Sequence, residues 1–450
     1  MSDRIEINNV YIQMISSLIS KNQLKELGTI VDNLHIADIA EIIEELSEQH
    51  LPVLFSRIKE EKSAEILVAI SDSKRELVLS NFTAKKIAEV VINNLESDDA
   101  TDIIGEFSKA KKEEVLSHIE DIECASNIND LLRYKKDTAG GIMAKELIKV
   151  NENWDTLKCH SEMKKQAKSI KKVFTIYVVN NNNELKGSLS LRRLLLSSKG
   201  SAIKNIVNTD IVSVNANEDN EDVANIMKKY NLIALPVVDE SNKLIGRITF
   251  DNVLDVIKEE AEKDYKLASG ISENLESNDS ILEHTKARLP WLLIGMVGGL
   301  MGAKVIGFFD FSGDSLKLVF FIPLIAAMGG NVGIQSAAIV VQGLANDTIK
   351  MKNIFHKLTK ELTVGLLNGI ICSIIILAAA FVLDYGISLS ITVSISLLVI
   401  IIFAAIFGTV IPLTLEKYKI DPALATGPFI TTINDILGLL IYLMIGQAIL

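Results

Sequence analysis

The sequence predicts a multi-domain membrane protein in three parts: an α-helical superhelical N domain, a tandem α+β repeat and a five-helix transmembrane domain. Three observations carry this. Amphipathic helices succeed one another through the first 130 residues, a strand pattern recurs at a constant offset of 59 residues, and five long apolar runs fill the chain after residue 285. The composition agrees: of 450 residues, 48% are hydrophobic and the mean hydropathy is +0.29, too apolar for an average soluble chain.

Charge divides the chain at the same place. Residues 281–450 carry ten Lys/Arg and nine Asp/Glu, whereas residues 1–280 carry thirty-six and forty-eight. The net acidity lies in the soluble part. Such a balance argues against nucleic acid, whose phosphates select basic surfaces, and suits solubility or the attraction of cations. Cys124, Cys159 and Cys372 are far apart and lack metal-ligand spacing. No disulfide framework is expected, and a reducing cytoplasm is the natural setting for the soluble part. The polar start, Met1-Ser2-Asp3-Arg4, lacks the apolar core of a signal peptide, so the first apolar spans are expected to direct insertion.

In residues 1–130, Ile39-Ala40-Glu41-Ile42-Ile43 and Ile87-Ala88-Glu89-Val90-Val91 place apolar side chains at helical spacing. Shorter helices are expected around Leu54, Ile66, Ile104 and Val115, giving a stack of helical hairpins.

From 137 to 264 the pattern is βαβ and repeated. Val179, Leu185 and Gly187 answer Val238, Leu244 and Gly246 at the common offset of 59. Each copy reads helix, strand, turn, strand, helix, and together they resemble a tandem of CBS domains, at 137–200 and 201–264. A connecting helix is expected over 265–287, followed by the transmembrane domain at 288–450.

The five apolar runs cover roughly 289–309, 317–344, 362–383, 387–414 and 424–450. Each is long enough to cross a hydrocarbon core of ~30 Å. Lys286 and Arg288 precede the first run, Lys350, Lys352, Lys357 and Lys360 link the second to the third, and Lys417 and Lys419 link the fourth to the fifth. The alternate links hold Lys317 with Asp310, Asp314 and Asp384. Positive-inside counting therefore expects a plasma (inner) membrane protein with its N-terminal domains in the cytoplasm and its C-terminus outside.

Two runs carry polar groups. The second contains Gly329-Gly330-Asn331-Val332-Gly333-Ile334-Gln335, where dense glycine permits close helix approach and Asn331 and Gln335 share a helix face. Interhelical hydrogen bonding is the plainer reading of that pair. The fifth contains Asp421-Pro422, Gly427-Pro428, Thr431-Thr432 and Asn434-Asp435. Its prolines and glycine suggest a bent helix with free carbonyls near Thr431. Asp435, one turn beyond Thr431, is an ionisable group at bilayer depth, which costs at least ~2.5 kcal/mol unless a partner or an ion offsets it.

Together Gly330-Asn331-x-Gly333-x-Gln335, Asp421-Pro422…Gly427-Pro428…Thr431-Thr432-x-x-Asp435 and Asp137-Thr138-Ala139-Gly140-Gly141 resemble the MgtE family of magnesium channels, as does the order of the three parts. The resemblance implies a homodimer in the bilayer, with a pore on its two-fold axis lined by the second and fifth spans. Two copies of Asp435 would then face each other, with Thr431 carbonyls nearby and Gly330, Asn331, Gln335, Pro428 and Asn434 along the lining. Mg²⁺ is expected as both substrate and regulatory ligand. It prefers octahedral oxygen coordination and keeps several waters, so a pair of carboxylates can hold it hydrated and still release it.

The resemblance further implies closure by cytoplasmic Mg²⁺ bound among acids of the N domain, the CBS pair and the connecting helix. The corresponding residues are Asp98, Asp102, Asp251, Asp255, Glu260 and Asp264, together with Asp421 at the start of span five. A solvated acidic face is the plain reading of the same residues. Asn231, Asn252 and Lys263 stand where the family often has acids, so fewer regulatory ions or weaker inhibition are expected. Ser190 is followed by Arg193 and Thr249 by Asn252, where nucleotide-binding repeats carry Asp, which counts against adenine nucleotide.

No nucleophile triad, phosphate loop or HExxH pattern is present in the sequence, and His160 and His356 are isolated; no enzyme is expected. The reading is a Mg²⁺ channel or transporter. The rivals are a coupled carrier or channel for another divalent cation such as Mn²⁺ or Co²⁺, and a membrane-anchored sensor whose CBS pair binds a ligand.

Overall fold

The computed structural model describes residues 7–168, 170, 173–271, 275, 280–345, 348–349, 354–425 and 427–450. The chain forms two compact units, Met1–Ile257 and Lys258–Leu450.

The first unit begins with short helices from Asn9–Ser20 to Ile122–Leu131. Helix Ile36–Glu45 buries Ile39, Ile42 and Ile43 on one stripe, the spacing that turns an apolar face toward a core. Around 85–91 the expected helix is an α-turn, Ala84–Lys86, capped by Thr83, which widens to a π-turn over Ile87–Val91. Helix Ser97–Gly105 follows and buries Ile103 and Ile104.

Each repeat builds a three-stranded sheet, β1 (Ile148–Asn151), β2 (Ile176–Val179) and β3 (Leu185–Leu189), then β4 (Val214–Asn215), β5 (Ala234–Val238) and β6 (Leu244–Thr249). In both, the first pair is parallel and the second antiparallel, with a register shift after Val178 and after Val237. The repeated glycines have a steric cause. A Cβ on Gly187 would collide with the Asn208 carbonyl, and one on Gly246 would come within 2.6 Å of Met143 Sδ. Bare backbone lets a second chain segment cross each strand. The hairpins turn at Asn183 (φ 64°) and Asn242 (φ 59°), in the left-handed region that Asn tolerates. Leu185 N–H donates to the Asn242 carbonyl and Leu244 N–H to the Asn183 carbonyl, which stitches the repeats together over a shared core of Tyr177, Val179, Leu185, Val238 and Leu244. The Asp137–Gly141 motif, expected to open the first repeat, hydrogen-bonds to the second: Ala139 and Gly140 N–H donate to the Glu218 and Ala216 carbonyls.

The connecting helix differs from expectation. One continuous helix covers Phe250–Ala268, and the next begins at Ile281 behind a capping box of Ser280 and Glu283. Gly270, at φ +74°, ends the first of these. Ile271 N–H returns to the Lys266 carbonyl and Gly270 N–H to the Leu267 carbonyl, a Schellman closure. Part of the 265–287 segment, residues 272–274 and 276–279, lies outside the described residues.

Among the described residues, five helices are long and apolar enough to cross a membrane: Ile281–Gly307, Ser315–Ala345, Ile354–Val382, Ile387–Lys417 and Pro428–Ile449, here spans 1 to 5. Span 4 is the most buried and span 1 the least. Spans 3 and 4 meet through reciprocal bonds, each of the Ser373 and Ser394 hydroxyls donating 2.8 Å to the other's carbonyl. Tyr442 of span 5 donates 2.9 Å to the Leu318 carbonyl of span 2.

Candidate functional site

Span 5 begins where the sequence breaks helix. Asp421 accepts 2.8 Å from Ala423 N–H across the short turn Pro422–Ala425. Gly427 then takes φ +55°, and a Cβ there would collide with the Ala268 carbonyl. Pro428 starts the helix, the position its missing N–H suits. The break therefore falls at Gly427–Pro428. Thr431 lies inside the first turn, its N–H donating 3.2 Å to the Gly427 carbonyl and its hydroxyl 3.0 Å to that of Pro428. The break expected near Thr431 thus falls one turn earlier, at the positive-φ Gly427 and the first-turn Pro428.

Asp435 is exposed on the next turn. With Pro428, Thr431 and Thr432 it lines a cavity of about 820 Å³ whose lining also includes Gly295 and Gly299 of span 1. Span 2 approaches here through glycine. A Cβ at Gly330 would sit 3.4 Å from Thr431 Cγ2 and 3.6 Å from Asp435 Oδ1. The structure thus brings Gly330, Pro428, Thr431 and Asp435 together. Asn331 and Gln335 are exposed on span 2 and are not among the walls of this cavity.

Asn434 is 1% exposed and turned toward Gly333, where an added Cβ would collide with its amide nitrogen, and it is not among the walls of this cavity. Consecutive helix residues point about 100° apart, so Asn434 and Asp435 cannot share a face. Neither side-chain atom of Asn434 has a hydrogen-bond partner among the described residues.

Gly333 is also where span 4 crosses: a Cβ on Gly408 would collide with the Gly333 carbonyl. Backbone against backbone leaves nothing to swing aside. We expect Gly408→Ala to cost about 1–3 kcal/mol by overpacking and to displace span 2 from span 4. Thermal unfolding of the detergent-solubilised protein checks this.

Sequence reasoning missed one buried charge pair. Glu361, 5% exposed, accepts 3.0 Å from Lys357 Nζ and 3.4 Å from the Ser336 hydroxyl of span 2. Lys357 was expected in the polar link between the second and third runs; the third span begins at Ile354 and takes in both residues. Their spacing of four at the head of an apolar run was the available signal.

The acids expected to bind regulatory ions fall into separate groups. In the first unit Asp98 is buried, while Asp102, Asp251 and Asp255 are exposed. Burial, then the charges of Asp99 and Glu96, push the Asp98 carboxyl up to about 7. Asn252 Nδ2 donates 2.9 Å to Asp98 Oδ2. In the second unit, Asp264 is raised above the usual carboxylate range by burial and then by Asp421 and Glu260. Lys263 Nζ lies 2.9 Å from Glu260. The like charges of Glu260, Asp264 and Asp421 therefore raise one another's cost of ionisation, with Lys263 as the neighbouring counter-charge, whereas Asp98 faces an amide donor. Among the described residues no three His, Cys, Asp or Glu side chains converge as a ready metal cage.

Known proteins share this organisation. Residues 322–445 match the MgtE divalent cation transporter family, 34–137 the MgtE intracellular N domain, and 139–200 and 203–259 the CBS domain. The magnesium transporter MgtE of Bacillus subtilis is 31% identical over 322 residues, 71% of each chain. That of Thermus thermophilus is 31% identical over 326 residues, 72% of each. A crystal structure of the cytosolic domain of the Mg²⁺ channel MgtE in complex with ATP is 27% identical with a TM-score of 0.51, covering 54% of this chain and 99% of that one.

Proposed function

Because the chain belongs to the MgtE family of divalent cation transporters, we propose that it conducts Mg²⁺ through a membrane along spans 2 and 5, with Asp435 as the ion ligand. The observation that carries this is the placement of Asp435: an acid at membrane depth, beside bare glycine backbone, open to a cavity of about 820 Å³. A carboxylate there is costly unless a cation is its partner.

A second copy completes the path in this reading. Asn331, Gln335 and Asp435 are exposed in a single copy, and lipid is a poor neighbour for all three. Two-fold pairing would turn these faces toward each other and double the carboxylate. Hydrated Mg²⁺ could then be held through its waters rather than stripped of them. With the N-terminal domains in the cytoplasm, the membrane potential drives entry at ~2.3 kcal/mol per charge per 100 mV, and about twice that for a dication.

Cytoplasmic Mg²⁺ closes the path by settling among Glu260, Asp264 and Asp421, whose mutual repulsion otherwise favours separation. Neutralising Asp264 and Asp421 together is expected to raise the inhibitory Mg²⁺ concentration about fivefold or more; patch recording against internal Mg²⁺ reads it. No nucleotide is assigned. The Thr249 hydroxyl already donates 2.6 Å to Asn252, so a bound nucleotide would need another ribose partner.

Flux into liposomes holding the purified protein tests the reading. Mg²⁺ entry that follows an imposed potential, outcompetes Mn²⁺ and Co²⁺ and ignores proton and sodium gradients is the expected result. Preferred Mn²⁺ or Co²⁺ entry, or gradient coupling, would select another carrier. No flux would leave only an anchored sensor.

A further inference from the structure

We infer that Asn252 latches the helical N domain to the second CBS repeat through a direct hydrogen bond, so that this seam stays shut without a divalent cation. The inference rests on the reading that cytoplasmic Mg²⁺ closes the pathway, and moves that ion's action away from this seam.

The amide orientation is fixed by its surroundings. Asn252 Oδ1 accepts both the Thr249 N–H at 3.0 Å and the Thr249 hydroxyl at 2.6 Å. With the oxygen engaged at the start of helix Phe250–Ala268, the –NH₂ group is left to face Asp98 Oδ2, 2.9 Å away. A divalent ion between the two elements would need oxygen from both sides, and the repeat offers a donor instead. Asp98 is 7% exposed, and its Oδ1 has no hydrogen-bond partner.

Neighbouring contacts close the same seam with no ion. Arg247, 3% exposed, pairs with Glu96 at 2.9 Å across the two elements. Ser97 donates to Glu146 from its N–H at 3.1 Å and from its hydroxyl at 2.7 Å, and Lys145 N–H donates 2.8 Å back to Ser97 Oγ. Helix Ser97–Gly105 is thus tied at its first turn by residues from both repeats.

Hydrogen–deuterium exchange of the full-length protein in lipid nanodiscs, in EDTA and in millimolar Mg²⁺, tests the latch. In the native protein, the amides of Ser97–Gly105 should exchange at the same rate in both. N252D sets carboxylate against carboxylate, so its exchange in EDTA should quicken by about tenfold or more and recover with Mg²⁺. The swapped pair N252D/D98N should again be protected in EDTA, and decides the matter if N252D alone fails to fold. Native protein that loses protection in EDTA, or an unprotected swapped pair, would overturn the latch. Flux from the same preparation in liposomes separates the two ideas. A protein that carries no Mg²⁺ fails the transport reading whatever the exchange shows, and one that carries Mg²⁺ yet opens this seam in EDTA fails the latch alone.

Discussion

Asp435→Asn is expected to abolish Mg²⁺ uptake in a transport-deficient cell. The amide keeps the shape of the side chain and its place beside Gly330 and Thr431, but loses the charge that stops a dication. The fall should be about a hundredfold or more, the loss that accompanies removal of a charged partner worth about 3 kcal/mol. Asp435→Glu keeps the charge on a longer arm and should retain part of the activity. Asn434→Leu is the informative neighbour. Asn434 packs against Gly333 on the other face of the helix, so changing it should alter stability before it alters ion preference. Uptake by Asp435→Asn at the native level would remove this residue from the pathway.

Glu361→Gln has the second largest expected effect, and on stability rather than conduction. The side chains of Lys357 and Glu361 are 14% and 6% exposed. Neutralising Glu361 leaves the ammonium inside span 3 without its counter-ion, and breaking a buried pair from one side costs about 3–5 kcal/mol. The one amide oxygen that remains must also serve both Lys357 and the Ser336 hydroxyl of span 2, which now bond to separate carboxylate oxygens. Thermal unfolding in detergent should show a clear loss of stability. Lys357→Met combined with Glu361→Leu should restore most of it, because removing both charges together leaves none unpaired. A single variant as stable as the native protein would mean that the pair is effectively solvated.

Much of the fold was legible because its signals are periodic. Five apolar runs became five spans, although span 1 starts at Ile281 rather than 289: hydropathy marks where charge ends, while Glu283, Lys286 and Arg288 already lie on the helix. The offset of 59 found both sheets, and its physical basis is a left-handed Asn at each hairpin and a glycine under each crossing segment.

The site was legible by residue type and less so by direction. Asp435 and Gly330 meet, while one helix step turns Asn434 toward Gly333. Gly270 marked the end of the connecting helix, and a Ser-Gly pair after an amphipathic run was a readable stop. The Asn252 to Asp98 bond joins residues 154 positions apart. No local pattern reports such a pairing. Thr249 and Asn252 entered the sequence reading only as a departure from the nucleotide motif, and Asn252 as a missing regulatory acid.

Single-channel recording from the purified protein in a planar bilayer, with Mg²⁺ as the sole permeant cation, tests the central claim most directly. A current that reverses where the Mg²⁺ gradient predicts, closes as Mg²⁺ rises on the side of the N-terminal domains and vanishes in Asp435→Asn is the predicted result. An unchanged current in Asp435→Asn, or no Mg²⁺ current from the native protein, would contradict it.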